Sequence, residues 1–504
     1  MGTLLPSLQV NHLREGLTDY LATTFALTDP DAQGALSDFV GHPDTGMFKG
    51  PYARLRLPFA PAGGNWGMHL DWWPTGFTPY GHQAAAFERL STKFHKRPRP
   101  TLVTTGTGSG KTEAFLYPIL DHVLRAKAAS VTGMKALILY PMNALANDQA
   151  ERLARLITEH PELSGVSAGL YTGEQSTGGR TKVTDDGLIT DRSLMHSAPP
   201  DILLTNYKML DHLLLHPDRA DIWRLSADSL QYVVLDEFHT YDGAQGTDVA
   251  MLLRRLGLTV KAHWTDASPV TDDDRSRPLG RITPVATSAT LGSKAEPTSM
   301  LGFAHTVFGE QFDADAVIGE TRLTAAEWLA DRDTALDRLY RPVAPVVTDA
   351  AARLDAFAAG SPTNAALTNA VLAELFERAE VFERTELFAA ADDLDTDRRL
   401  TPTDLRSLTP VEQLRLLKAH PLLARLLEDA VDAISLADLS TALFDVPASE
   451  RDTRRVRAAQ QRFLDYHFAA LSHLRAEIGR TALNVDVHLW IRELSRIDRA
   501  VATN

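Results

Sequence analysis

The sequence predicts a doubly wound α/β domain built on a parallel sheet, followed by an all-helical domain. Two observations predict it. Between residues 63 and 320, short apolar runs alternate with helical patterns, and several runs are apolar throughout, as in strands covered on both faces. From residue 321 the strand signals vanish, and Leu and Ala recur at helical spacing between Pro- or Asp-marked breaks. The expected division is an N-terminal accessory segment over 1–62, the α/β domain over 63–320 and a helical insertion or linker domain over 321–504.

Each element has its own signal. Residues 1–62 open with a helical pattern and continue into a Gly- and Pro-marked stretch. Candidate strands begin at Thr101 (TLVTT), Lys135 (KALILY), Val166 (VSAGLYTG), Asp201 (DILLTN), Tyr232 (YVVLDE) and Ile282 (ITPVATSAT). Helical patterns separate most of them, for example NALANDQAERLARLITEH from Asn143. Polar stretches at 174–199 and 262–281 are expected to be exposed loops. The last third contains PVEQLRLLKAHPLLARLLEDAVDAI from Pro410, whose spacing is that of consecutive helices.

Bulk properties bound the function. With 504 residues and 44% apolar composition, the chain can bury more than one core. It has no cysteine, which excludes disulfides and Cys-based metal sites within it. No apolar run is long enough for a membrane span, and the N-terminus lacks the basic start and cleavage site of a signal peptide, so the expected location is the cytoplasm. A net charge of −14 argues against a protein that coats nucleic acid along its whole surface, but leaves room for a local track of phosphate contacts.

The strongest local signal is TGTGSGKT, comprising Thr105, Gly106, Thr107, Gly108, Ser109, Gly110, Lys111 and Thr112. It lies between an apolar strand and a helix, the context that a phosphate-binding loop requires. The glycines let backbone N–H groups turn toward phosphates, and the helix N-terminus adds partial positive charge. Lys111 is placed to reach the β- and γ-phosphates of ATP, and Thr112 offers a hydroxyl to Mg²⁺. Thr105 stands where the strict pattern has a glycine. About 125 residues later, YVVLDEFH ends an apolar strand in Asp236 and Glu237. Alone, such a pair is an ordinary solvated turn. Paired with the loop, Asp236 becomes a ligand for Mg²⁺ and Glu237 the base for an attacking water.

The order of further motifs resembles superfamily-two helicases of the DExH type. FTPYGHQ precedes the loop as that family's adenine-reading motif does, which implies roles for Phe77 and Gln83. PMNALANDQ, YTGE and the Thr205–Asn206 pair resemble its nucleic-acid contacts, implying backbone contacts near Pro141, Ala144, Thr172, Gly173, Thr205 and Asn206. His239 completes DEFH as a DExH box, and Ser288, Ala289 and Thr290 match the triplet that couples hydrolysis to strand movement. The run from Asp236 to Leu256 is similar to Lhr-like and MrfA/Hrq-like DNA helicases and to the large helicases of phage-defence systems.

The resemblance implies a RecA-like, P-loop NTPase fold and an ATP-dependent DNA helicase or translocase acting in DNA repair or phage defence. An RNA helicase, or a nucleotide-gated scaffold without unwinding, stand as alternatives. The family's second RecA-like domain carries arginines that stabilise the transferring phosphate. No segment of that kind follows residue 321, and Arg454, Arg455 and Arg457 lie in a glycine-free helical run. The second domain is therefore expected from a longer form of this protein or from a partner subunit. Loss of such an arginine costs about 10³–10⁵ in rate, so this chain alone is expected to turn over slowly.

Overall fold

The computed structural model describes residues 5–24, 34, 42, 46–95, 97–106, 108–173, 179–289, 297–331, 333–379, 399–445 and 453–491. Two compact units divide the chain, one of residues 59–321 and one of residues 1–58 with 322–504. The described strands are β1 (Phe48–Arg56), β2 (Thr101–Thr104), β3 (Ala136–Tyr140), β4 (Ala168–Tyr171), β5 (Ile202–Asn206), β6 (Tyr232–Leu235), β7 (Thr283–Ser288), β8 (Val317–Gly319), β9 (Tyr340–Pro342), β10 (Phe376–Arg378), β11 (Ile434–Ser435) and β12 (Asn484–Ile491).

In the 59–321 unit, seven strands form one sheet in the order β4-β5-β3-β6-β7-β2-β8. Every pairing is parallel. The apolar runs explain this layout. Ala136, Ile138 and Tyr140 of β3 join one core with Phe115, Ile119 and Val123. Leu137 and Leu139 join the other, with Leu252, Leu253 and Leu256. A strand buried on both faces needs helices on both sides. They are α1 (Gly81–Leu90), α2 (Lys111–Ala128), α3 (Asn143–Glu159), α4 (Tyr207–Leu215) and α5 (Gly243–Ala262), with shorter ones between. The six anticipated strands are present. A seventh, β8, has only three residues and no sequence signal; it pairs outside β2, which therefore lies one strand inside the edge.

The N-terminal ends of β3 and β5 are tied by a buried ion pair. Lys135 Nζ lies 2.8 Å from Asp201 Oδ1, and both residues are at most 3% exposed. Lys127 and Ser167 satisfy Asp201 Oδ2, at 3.1 Å from Lys127 Nζ and 2.8 Å from Ser167 Oγ. Burial alone would raise the Asp201 carboxyl, but hydrogen bonds and charge from Lys135 and Ser167 outweigh it and hold the group below its ordinary value.

The other unit departs from the all-helical expectation. It is mostly helical, with the buried face of helix Thr453–Ile478 in its main core, but it also contains a three-stranded antiparallel sheet in the order β11-β1-β12. Tyr52 pairs with His488 and Leu55 with Val485. A short antiparallel pair, β9 with β10, adds to it. The segment NVDVHLWI alternates Val485, Val487, Leu489 and Ile491 with polar or exposed neighbours, the period of a strand. The strand from the N-terminal region thus belongs with the C-terminal region, so the expected division at residue 62 is replaced by one near residue 58. Arg457 donates to the carbonyls of Ser440 and Phe444 at the end of helix Leu436–Leu443, a structural cap rather than a group held ready for phosphate. No helix among the described residues is long and apolar enough to cross a membrane.

Candidate active site

The C-terminal ends of the parallel strands carry nearly all the residues singled out from the sequence. They fall into two groups by strand order. The phosphate loop follows β2, Asp236 follows β6 and Ser288 ends β7, so these occupy one half of the sheet. Pro141 follows β3, Thr172 and Gly173 follow β4, and Thr205 and Asn206 close β5, so these occupy the other. Thr107 and Thr290 lie outside the described residues.

The loop is held open from within. Gly108 and Gly110 take φ of 76° and 81°, conformations that a side chain resists. A Cβ on Gly110 would also collide with the Gln83 amide. Thr105 and Ser109, both fully buried, join hydroxyls at 2.6 Å across the loop, which accounts for a threonine in place of the first glycine. His82 Nε2 lies 2.9 Å from the Ser109 carbonyl. Gly110 is the N-cap of α2, so Lys111 and Thr112 are its first residues. Gly106 N–H meets the Glu320 carboxylate at 3.2 Å.

Gln83 is 2% exposed. Its amide is engaged at both ends, donating to the Gly110 carbonyl at 3.0 Å and accepting from Tyr80 N–H at 2.9 Å. In this arrangement it braces the loop. Phe77 packs against Tyr117, with ring centroids 4.9 Å apart, and against Trp66 and Phe87. Burial pushes the Tyr117 hydroxyl up to about 12, with the Glu113 charge adding to the rise.

Lys111 Nζ stands 3.6 Å from Glu237 Oε1, too far for a hydrogen bond. Lys111 Nζ and Glu237 Oε2 are both shielded from solvent without a hydrogen-bond partner. His239 Nδ1 is 3.5 Å from that same Oε2 and 3.3 Å from Ser288 Oγ, which links the acidic turn to the end of β7. Ser288 also donates to the Ala289 carbonyl at 2.9 Å. Burial raises the Asp236 carboxyl above its ordinary range; a hydrogen bond from Thr287 and the Lys111 charge work against the rise, and the Glu237 charge adds to it. Thr287 was not singled out from the sequence. The signal available was its place immediately before Ser288, on the strand paired with β6.

The donor set fits a nucleoside triphosphate with Mg²⁺. A cation without a hydrogen-bond acceptor, a left-handed glycine loop and one buried carboxylate form half of a shell that phosphates and their metal complete. Thr112 and Asp236 are the residues that would hold the metal.

On the other half, contacts are of another kind. The Thr205 hydroxyl is buried and donates to the Tyr171 carbonyl at 2.6 Å, fixing the end of β4 beside Thr172 and Gly173. Asn206 caps α4 through Met209 N–H at 2.8 Å and donates to Asn143 Oδ1 at 2.6 Å. Gly173 and Ala144 are exposed, Pro141 is half-buried and Thr172 is buried.

Comparison with known proteins agrees with this arrangement. The DEAD/DEAH box helicase family profile matches residues 80–297. The Druantia protein DruE of Escherichia coli is 28% identical over 310 residues, covering 43% of this chain and 16% of that protein. The ATP-dependent helicase hrq1 of Schizosaccharomyces pombe is 31% identical over 177 residues, covering 35% of this chain and 14% of its own length. The matches thus span less than a fifth of either relative. Among solved structures, the DUF1998 helicase MrfA bound to DNA is 22% identical, with a TM-score of 0.38 over 57% of this chain and 34% of that one. The stretch that matches the DEAD/DEAH box helicase profile, residues 80–297, lies wholly within the parallel-sheet unit.

Proposed function

We propose that residues 59–321 are the ATP-binding half of an ATP-dependent DNA helicase or translocase, serving DNA repair or phage defence. The observation that carries this reading is the Lys111–Glu237 pair. It is a cation and a carboxylate 3.6 Å apart beside a phosphate loop, with Lys111 Nζ and Glu237 Oε2 both lacking a hydrogen-bond partner. Buried polar atoms without partners are costly and therefore rare away from functional sites.

In this reading Lys111 moves its ammonium from Glu237 to the β- and γ-phosphates of ATP. Glu237 is then free to orient a water and take its proton. Thr112 and Asp236 would hold Mg²⁺, which would supply neutralisation of phosphate charge. His239 and Ser288 transmit the state of that site to the end of β7. The exposed backbone after β3 and β4 grips a strand's phosphates, which needs no net positive charge. DNA is favoured over RNA by the resemblance of the run following Asp236.

A second RecA-like domain, in a longer form of this protein or in a partner subunit, would supply the phosphate-stabilising arginines. Steady-state ATPase of the 504-residue chain, with and without single-stranded DNA, tests the reading. Slow turnover that a chain carrying the second domain accelerates is expected. Turnover of several per second by this chain alone, or no binding of Mg·ATP, would overturn it.

A further inference from the structure

The turn that carries Asp236 and Glu237 is bent in a way a side chain resists. Glu237 takes φ 50° and ψ 49°, in the left-handed region, although it is not glycine. A non-glycine residue persists there only when its surroundings hold it. On its carbonyl side Glu237 accepts from Thr240 N–H at 2.9 Å and from the Thr240 hydroxyl at 2.7 Å; on its N–H side the holding group is Thr287, fully buried on β7. The parallel register pairs Leu235 of β6 with Ala286 of β7, so the next residues along, Asp236 and Thr287, are brought side by side. Thr287 Oγ1 donates to Asp236 Oδ1. The same oxygen accepts Glu237 N–H at 3.4 Å, and that N–H also meets Asp236 Oδ1 at 3.1 Å. One hydroxyl therefore closes a ring through both acidic residues. Every described hydrogen bond to the Asp236 carboxylate goes to Oδ1.

We infer that Thr287 is a positioning residue for the acidic pair: it clamps Asp236 Oδ1 and the left-handed Glu237, and so aims Asp236 Oδ2 at the nucleotide's divalent cation. The inference rests on the proposed Mg·ATP site and names a residue outside that site's motifs. The geometry makes a definite demand on side-chain chemistry. A valine matches threonine in shape but has no donor, so it frees Asp236 to rotate and leaves Glu237 N–H without one acceptor. A serine keeps the hydroxyl. The loss should appear in metal dependence and not in contacts between the loop and the phosphates, because the described side-chain hydrogen bonds of Thr287 run to Asp236 and Glu237.

The test uses the full chain and a fluorescent ATP analogue, with affinity measured in EDTA and across a Mg²⁺ titration. For Thr287→Val, the Mg²⁺ concentration giving half of the metal-dependent gain in affinity should rise about tenfold, with affinity in EDTA unchanged. Thr287→Ser should restore the wild-type titration. Should the valine protein fail to fold, Thr287→Ala is measured in the same way, with the same expectation. If the wild type binds the analogue with a Mg²⁺-dependent gain, and Thr287→Val or Thr287→Ala titrates like it, the inference fails while the nucleotide reading stands. The inference also fails if Thr287→Ser shifts as far as the valine variant. If the wild type itself shows no Mg²⁺-dependent binding, the nucleotide reading and the inference fall together.

Discussion

The sheet holds a lysine–carboxylate pair at each end of its strands, and the two are built in opposite ways. At the N-terminal ends, Lys135 and Asp201 lie 2.8 Å apart, and each carboxylate oxygen has a donor. At the C-terminal ends, Lys111 and Glu237 stand 3.6 Å apart, and each leaves a buried atom without a hydrogen bond. The first pair is complete within the protein. The second is left open, as the proposed nucleotide site requires. Satisfaction of polar atoms, rather than the presence of opposite charges, is what distinguishes the structural lock from the proposed reaction site.

The comparison can be broken from either side. The largest effect is expected from Glu237→Gln, which keeps the shape and removes the proposed base. In an assembly with the second motor domain, turnover should fall by about 10²–10⁴, with nucleotide affinity and melting temperature close to wild type. Retained turnover would show that another residue positions the water.

Asp201→Asn should do the reverse. Leaving Lys135 buried without its counter-charge should cost about 3–5 kcal/mol of stability, measured by chemical denaturation, while the folded fraction keeps its affinity for nucleotide. The pH dependence follows from the depressed Asp201 carboxyl. A group with a lowered folded value contributes stability that is present above its unfolded value and is lost as pH falls through the folded one. The difference between wild type and Asp201→Asn should therefore hold at neutral pH and shrink only in acid, below about pH 4.

Lys111→Ala comes next. Removing a charge-assisted contact worth about 1.5–3 kcal/mol should weaken Mg·ATP roughly 10- to 100-fold by calorimetry, without the stability loss of Asp201→Asn. Equal affinity of the two proteins would contradict the site.

The smallest effect sharpens the contrast with the half proposed to contact a nucleic-acid strand. Thr205→Val removes the donor to the Tyr171 carbonyl, for a loss of about 1–2 kcal/mol. Single-stranded DNA binding should weaken while nucleotide affinity is unchanged. A change in nucleotide affinity of equal size would mean the two halves of the sheet are not separate sites.

Legibility in the sequence followed the same line. Charged chemistry at a strand end was visible because residue types and spacing carry it: Lys111, Asp236 and Glu237 sit at the mouths of β2 and β6 as expected. Gln83 was visible by position, yet its packing was not. Only the folded chain places Gly110 against it and engages both ends of its amide. Thr205 was marked as a position near the nucleic-acid contacts, but that its hydroxyl serves the Tyr171 carbonyl was not legible, because a strand-end threonine can face inward or outward and sequence does not decide which. Thr287 was missed because its importance lies in register with β6, a long-range property. The alternation in β12 was present in plain view, but a helix-rich context hid a strand whose partner, β1, begins the chain's other end.

That pairing has a consequence in time. Tyr52 and His488 are separated by about 430 residues, and at roughly 5–20 residues per second a ribosome needs about 20–90 s to make them. The 59–321 unit lies wholly within that interval, and its two ends are joined by the hydrogen bond from Ala60 N–H to the Thr321 carbonyl, 2.9 Å long. The parallel-sheet unit can thus finish folding while β1 still waits with its ladder groups unpaired. During synthesis, β1 is a strand with an open edge until β12 has been made.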